Sequence, residues 1–189
     1  FAEGASVSQA DGGSLTGAVG GKVLVAEAAG GGSGTQVFNG CFTSTYKNYL
    51  ILASIRLDAT AECYVRLQDS SNNQRSGGLY YYATMHNSQS NGSNAHSDLG
   101  EWGAAQFSPH KNILANNPHA SYRIWVFNPT DTNIKTHMQM DFYTQGSSIF
   151  DQTRGSCAYD SAGNDAGIRF IAGSGNIATT SQFKIYGLK

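Results

Sequence analysis

The chain has 189 residues, a formal net charge of −1 and 13% charged residues, roughly half of the ~25% typical of soluble domains. Its length suits one domain, and a hydrophobic content of 40% is sufficient to close a core. The near-zero net charge argues against a nucleic-acid partner and an anionic membrane surface. No apolar run approaches the ~18 residues of a membrane-spanning helix, so we expect no membrane insertion.

Residues 1–34 are dominated by small side chains and are broken by glycine clusters, and within them only residues 22–26 (KVLVA) indicate a strand. We therefore predict a Gly-rich N-terminal arm or linker over residues 1–34 and a globular domain over residues 35–189. The chain opens on Phe1, which fits either a processed product or a piece of a longer protein.

From residue 37 onward, apolar and polar residues alternate almost everywhere. One predicted strand face consists of Tyr49, Ile51, Ala53, Ile55 and Leu57. The runs that repeat this period are residues 63–67, 122–126, 134–142 and 183–186. Half-buried antiparallel strands have this pattern. Eight or more such strands separated by short turns predict an all-β fold, an antiparallel two-sheet sandwich with a jelly-roll-like topology.

Residues 86–100 (HNSQSNGSNAHSDLG) do not follow this pattern. They are polar throughout and far exceed the length that a hairpin turn needs. A long loop in a compact domain is usually functional or mobile, so we predict a surface loop here.

The chain shows no motif for catalysis or for metal binding. Cys41, Cys63 and Cys157 are isolated in sequence and lack four-ligand zinc spacing. We expect buried free thiols in a reducing compartment, with one disulfide and one free thiol as the alternative. The histidines show no paired metal-ligand spacing, the carboxylates are scattered, and a nucleophile elbow is absent. We therefore expect no enzyme activity, no metal and no cofactor.

The aromatic side chains are the best candidates for binding. Exposed rings can stack on sugars while neighbouring polar groups fix the hydroxyls. The candidate ligand-binding residues are Tyr80, Tyr82, Trp102, His86 and His96. The alternative is that these rings pack the sandwich core or a subunit interface, which is the role we expect for Tyr81 and Trp125.

Several segments together resemble the virion proteins of tailed phages, over residues 37–189. They are VFNGCF (37–42), YKNYLI (46–51), VRL (65–67), YYY (80–82) and the closing segment 167–187 with its GIRF, GNI and IYG motifs. The resemblance implies a β-sandwich on the particle surface, either a tail-fibre or tail-tip domain or a capsid decoration protein. It offers no catalytic motif to transfer.

The resemblance also implies partners and a location. We expect a homotrimer that contacts other virion proteins, with host surface polysaccharide as a candidate ligand. Assembly would take place in the host bacterial cytoplasm, and the arm over residues 1–34 would dock the protein to the particle or to sister subunits. The alternative function is a carbohydrate-binding module or lectin domain of a secreted protein. A depolymerase is a more distant alternative, since it needs two carboxyl groups facing each other across a groove.

Overall fold

The computed structural model describes residues 21–90, 93–109, 111–115, 119–145 and 149–189. Every helix or strand element within these ranges is a β-strand. The strands are β1 (Lys22–Ala29), β2 (Thr35–Phe38), β3 (Asn48–Ile55), β4 (Cys63–Asp69), β5 (Tyr80–Ser90), β6 (Ser93–Ala104), β7 (Ala120–Phe127), β8 (His137–Gln145), β9 (Ile149–Tyr159), β10 (Asp165–Ala172) and β11 (Gln182–Leu188). The predicted all-β class is confirmed.

The strands form two antiparallel sheets. A large sheet of eight strands has the order β1-β11-β3-β7-β8-β9-β5-β6, and a small sheet of three has the order β2-β10-β4. The first strand pairs with the last and the second with the penultimate, while the chain crosses between sheets at each step from β1 to β4. This nested wrapping is that of a jelly-roll-like sandwich, as the sequence predicts.

The core lies between the two sheets, where the alternating apolar residues meet. The predicted inward residues of β3, namely Tyr49, Ile51, Ala53 and Ile55, are all buried. On the small sheet, the ring centroid of Phe170 lies 5.0 Å from that of Phe183 and 6.1 Å from that of Tyr122. These rings connect β10 to β11 and β7, so the small sheet covers one half of the large sheet, which we call the backed half (β1, β11, β3 and β7).

We call the other half (β8, β9, β5 and β6) the open half. The inner residues of β8, β9 and most of β5 are buried there too, and the cover ends at β6. The segment after β6 bridges to β4 between Phe107 and Val65, and the Phe107 ring lies 5.3 Å from that of Tyr82. The Thr153 hydroxyl of β9 donates to the Pro109 carbonyl at 3.0 Å. Beyond these contacts, residues 93–102 of β6 are all exposed.

A buried carboxylate joins the small sheet to two segments that lead into the large one, the β4–β5 connection with Arg75 and the residue before β8, Thr136. Asp165, which has no exposed surface, accepts a hydrogen bond from the Arg75 guanidinium at 2.9 Å and another from the Thr136 hydroxyl at 2.6 Å. Burial raises the pKa of Asp165, although the bonds from Thr136 and Arg75 oppose this effect.

Two expectations change at the edges of the large sheet. Within the predicted loop over residues 86–100, residues 86–90 instead form the end of β5 and residues 93–100 most of β6, and the two strands pair up to Ser90 and Ser93. Residues 91 and 92 of that loop lie outside the described residues. Within the predicted arm, β1 pairs with β11 along its length and therefore belongs to the sandwich. Residues 1–20 of that predicted arm lie outside the described residues.

Candidate functional site

The structure places two of the predicted binding residues in the core. Tyr80 has no exposed surface, packs its ring 4.9 Å from that of Tyr159, and donates its hydroxyl to the Arg75 carbonyl at 3.1 Å. Tyr82 is 7% exposed and packs against Phe107. Neither ring offers a face to a ligand, so the predicted stacking role is wrong at these two positions. The physical reason is the alternation of β5, which turns both residues toward the second layer.

Trp102 is the most exposed large hydrophobic residue that the structure describes, at 87%. Trp102 pairs with Tyr81 across β5 and β6, and the strand registers place both side chains on the face of the large sheet that is turned away from the small sheet. We call this face the outer face. The two rings lie 4.6 Å apart at an interplanar angle of 38°. Tyr81, which the sequence favoured as a core or interface residue, therefore supports an exposed aromatic ring.

His86 is buried on the opposite, inner face of β5. Its Nε2 lies 3.0 Å from Asp151 Oδ1 on β9, and its Nδ1 lies 3.4 Å from Ser97 Oγ on β6. Burial lowers the pKa of His86, an effect that Lys111 and His96 add to and that the bond with Asp151 opposes. The neutral imidazole links three neighbouring strands.

These residue types match a hydrolase triad, yet the geometry favours a structural role. The Ser97 Oγ distance to the imidazole is 3.4 Å, long for a hydroxyl activated by a base. Ser97 also lies in an edge strand rather than on a strained turn. We therefore interpret Ser97, His86 and Asp151 as a polar ladder that holds the hairpin to β9.

His96 lies on the outer face, away from His86. Its Nδ1 is 2.9 Å from Asn87 Oδ1, and its Nε2 is 3.1 Å from Asp98 Oδ1. The five predicted site residues therefore do not converge: Tyr80 and Tyr82 are in the core, His86 is on the inner face, and only Trp102 and His96 reach the outer face.

A depression that the sequence did not predict crosses the outer face of the open half. Its floor is a row of small or short side chains that face one another across four strands, Gln139 of β8, Ser156 of β9, Ala83 of β5 and Gly100 of β6. Two adjoining hollows of about 500 and 570 Å³ share Ala83, Gln139 and Ser156 in their lining. We call this feature the trough.

The trough has an aromatic wall and a charged wall. The aromatic wall is formed by Tyr81, two residues before Ala83 on β5, and its neighbour Trp102. The charged wall is formed by Arg154 and Asp98, which lie on either side of Met85, two residues after Ala83. At the β7 end, Trp125 faces Gln139, and the guanidinium of Arg123 lies 4.8 Å above its ring, which is a cation–π contact.

The charges beside the trough are mutually paired. Asp141 Oδ2 lies 2.5 Å from Arg123 Nη2, and Asp141 Oδ1 lies 3.5 Å from Arg154 Nε. Asp98 contributes a further negative charge on β6, next to His96. The positive and negative groups therefore balance, and the trough carries no strong field of either sign.

The three cysteines are free and buried, which confirms the expected free thiols over the alternative with one disulfide. Burial raises the pKa of Cys41 and of Cys63 to about 12, and it raises the pKa of Cys157 as well. Their thiolates, the reactive form, are therefore scarce at neutral pH.

Across the part of the chain that the structure describes, no three His, Cys, Asp or Glu side chains are grouped as a metal site. The same part contains no helix with the length and apolarity needed to cross a bilayer. Comparison of the chain with protein-family models, with curated proteins and with solved structures finds no match.

Proposed function

We propose that this chain is a non-enzymatic structural protein of the surface of a tailed-phage particle, and that three copies assemble head to tail, with the β6 edge of the open half in each contact. The observation that carries the proposal is β6. This strand of 12 residues forms one edge of the large sheet, and its residues 93–102 are exposed on both faces.

An edge strand of this length is unusual in a protein that works alone. Its outward backbone groups can pair with another chain, so natural proteins usually shorten, cover, bulge or heavily charge such edges. The pairing of β6 with β5 is irregular only between Tyr80 and Tyr81, and from Tyr81 to Ser90 it runs without a shift. The regular hairpin is therefore suited to contact with a further copy.

The side chains of the hairpin also suit subunit contact. On the inner face, Ala95 and Leu99 are exposed although the register places them beside Ser88 and Thr84. Charged residues are scarce in the chain as a whole, and subunit interfaces are depleted in charge at their centres. A second copy that covers Leu99 would remove apolar surface from water.

The trimer and the phage particle come from the resemblance of residues 37–189 to virion proteins, and two features support them. Head-to-tail contact between different surfaces closes into a ring when the rotation allows it, and the large sheet ends in two dissimilar edges, β6 and the bulged β1. The buried free cysteines fit assembly in a reducing bacterial cytoplasm.

Light scattering after size exclusion, with the full chain, tests the assembly. We expect three times the mass of one chain for the wild type and a single-chain mass for the double variant Ala95→Lys/Leu99→Lys, because both positions are exposed in one chain and lysine disfavours edge contact. Leu52→Lys, an exposed site in the backed half, is the matched control and should leave the assembly intact. A stable, well-folded wild-type monomer would contradict the proposal.

Immunogold electron microscopy tests the location. An antibody raised against the full chain should label the surface of phage particles purified from the source of the chain. Mass spectrometry of the same particles should detect the chain at a constant ratio to the major capsid protein. Particles without the chain would rule out a virion protein even if the chain forms a trimer.

A further inference from the structure

We propose that the trough binds a neutral glycan chain, which lies across β8, β9, β5 and β6 with one sugar ring against Trp102. This inference deepens the proposed function and rests on it for the biological setting, because a host-surface glycan would be the ligand of a particle-surface protein. The site itself lies within one chain.

The shape of the trough suits a chain of rings. Its floor spans three strand spacings from Gln139 to Gly100, about 14 Å, which is the length of a short oligosaccharide. Ala83, Gly100 and Ser156 leave the floor low, whereas the positions two residues away along β5 carry Tyr81 and Met85. A ligand of ring thickness can therefore sit between two walls.

The aromatic groups suit the apolar faces of sugar rings. Trp102 is 87% exposed, and Tyr81 packs at 4.6 Å beside it. An aromatic ring that is both fixed and exposed gives contact area at a low cost in side-chain entropy. Trp125 provides a second ring at the far end of the floor, where Arg123 covers part of it.

The polar groups suit hydroxyls rather than ions. The Gln139 amide and the Ser156 hydroxyl lie in the floor, and each can both donate and accept a hydrogen bond. Asp141 is already paired with Arg123 and with Arg154. A strongly charged ligand would have to disrupt these pairs, while a neutral ligand can leave them in place.

Other occupants fit the trough less well. A peptide strand adds to the edge of a sheet by backbone pairing, but the trough crosses the middle of four paired strands. A nucleic acid needs an excess of basic residues, and the charges here are balanced. A second copy is accommodated by the β6 edge and the inner face of the hairpin, which leaves the outer face open.

The chain contains two tryptophans, Trp102 and Trp125, and both border the trough. Intrinsic tryptophan fluorescence is therefore a direct reporter of occupancy. We would titrate the full chain with neutral hexasaccharides of glucose, galactose, mannose and N-acetylglucosamine, and screen it on a glycan array. We expect at least one neutral glycan to shift the emission to shorter wavelength and to saturate.

Three variants locate the site. Trp102→Ala should weaken binding about tenfold or more, and its exposed position should leave the fold unchanged. Ala83→Ile keeps strand propensity but fills the floor, so it should weaken binding while both tryptophans remain. Leu24→Ala removes an exposed apolar residue from the outer face of the backed half and should bind as the wild type does.

Each outcome decides the inference. It is overturned if no neutral glycan binds, if Trp102→Ala binds as tightly as the wild type, or if only charged polysaccharides bind with a strong salt dependence. It is also overturned if Ala83→Ile abolishes self-assembly in light scattering, because a second copy would then occupy the trough. Light scattering measures self-assembly separately. If a monomer binds the glycan, the glycan site is supported, the proposed assembly is contradicted, and the lectin alternative is favoured.

Discussion

The backed half and the open half of the large sheet differ in what covers them, and their side chains show it. In β7 of the backed half, buried residues alternate strictly with exposed or half-buried ones, whereas β6 of the open half is exposed along nearly its whole length. Both pair with an antiparallel neighbour along their length, β7 without a register shift and β6 with one, at Tyr80/Tyr81 of β5. Backbone pairing is thus sufficient to define a strand, while side-chain burial depends on a second layer.

The difference is confined to the outer strands of the open half. The inner residues of β8, such as Met138, Met140 and Phe142, are buried as those of β7 are, so apolar burial beneath both halves contributes to the free energy of folding. Among the residues that the structure describes, the open half leaves the β6 edge and the trough accessible to other molecules. Regions with few buried contacts also open more readily, so the halves should respond differently to the same kind of change.

The largest difference should follow from truncating a side chain in each half. Phe183→Ala, on β11 of the backed half, removes a buried ring that contacts Phe38 and Phe170, and it should lower the free energy of unfolding by about 3–5 kcal/mol. Met85→Ala, at a half-exposed position of the open half, should change it by less than about 0.5 kcal/mol. Urea denaturation measures both. Equal losses would mean that the open half is covered in solution.

A smaller effect is expected where the two sheets are joined. Asp165→Asn removes the charge that faces Arg75 and leaves one acceptor for two donors, so the free energy of unfolding should fall by about 1–3 kcal/mol. The matched control is Asp160→Asn, which removes a surface partner of Lys135 and should cost under about 1 kcal/mol. If both substitutions have the same effect in thermal or urea unfolding, the buried pair does not hold the sheets together.

The smallest effect should be a local response of the open half to pH. Because burial lowers the pKa of His86 below its ordinary value of 6.5, the unfolded chain takes up the proton at higher pH than the native one. The stabilisation of the hairpin is therefore fully present above about pH 6.5 and is lost as the pH falls through the lowered pKa. Amide protection factors in β5 and β6 should decrease over this range, while those in β7 should not.

Two variants separate His86 from its neighbours. His86→Gln should remove the pH dependence of protection in the hairpin, because it replaces the imidazole whose pKa burial lowers with an amide that does not ionise. His96→Gln replaces an exposed histidine on the other face of the same hairpin, and it should leave most of the pH dependence of amide protection unchanged. If the two variants behave alike, the buried polar ladder does not control the opening of the hairpin.

The sequence predicted the fold class because alternation is a local signal. Where one face of a strand is covered, as along Tyr49 to Ile55, apolar residues must recur with a period of two. The phase of the tyrosine run 80–82 was harder to assign, since three equal residues fit either face. Only the packing of Tyr80 against Tyr159 and of Tyr82 against Phe107 shows which rings are inside.

The hairpin of β5 and β6 was missed for the same physical reason. No residue that the structure describes covers positions 93–102 of β6, so their sequence shows no apolar alternation. The one available signal was the Asn91-Gly92 dipeptide, which is typical of a two-residue hairpin connection and lies between the paired residues Ser90 and Ser93. A polar segment next to such a dipeptide can be a paired strand.

The amino-acid sequence alone therefore determined that this chain builds strands and which faces of its covered strands are apolar. The tertiary structure alone decided that Trp102 and Trp125 border one trough, that Tyr80 and Tyr82 are inside, and that β6 has an open edge. The periodicity of a strand arises from its own backbone and one covered face. Neighbours in a sheet are brought together by pairing between distant segments, and that pairing uses backbone groups which every residue shares.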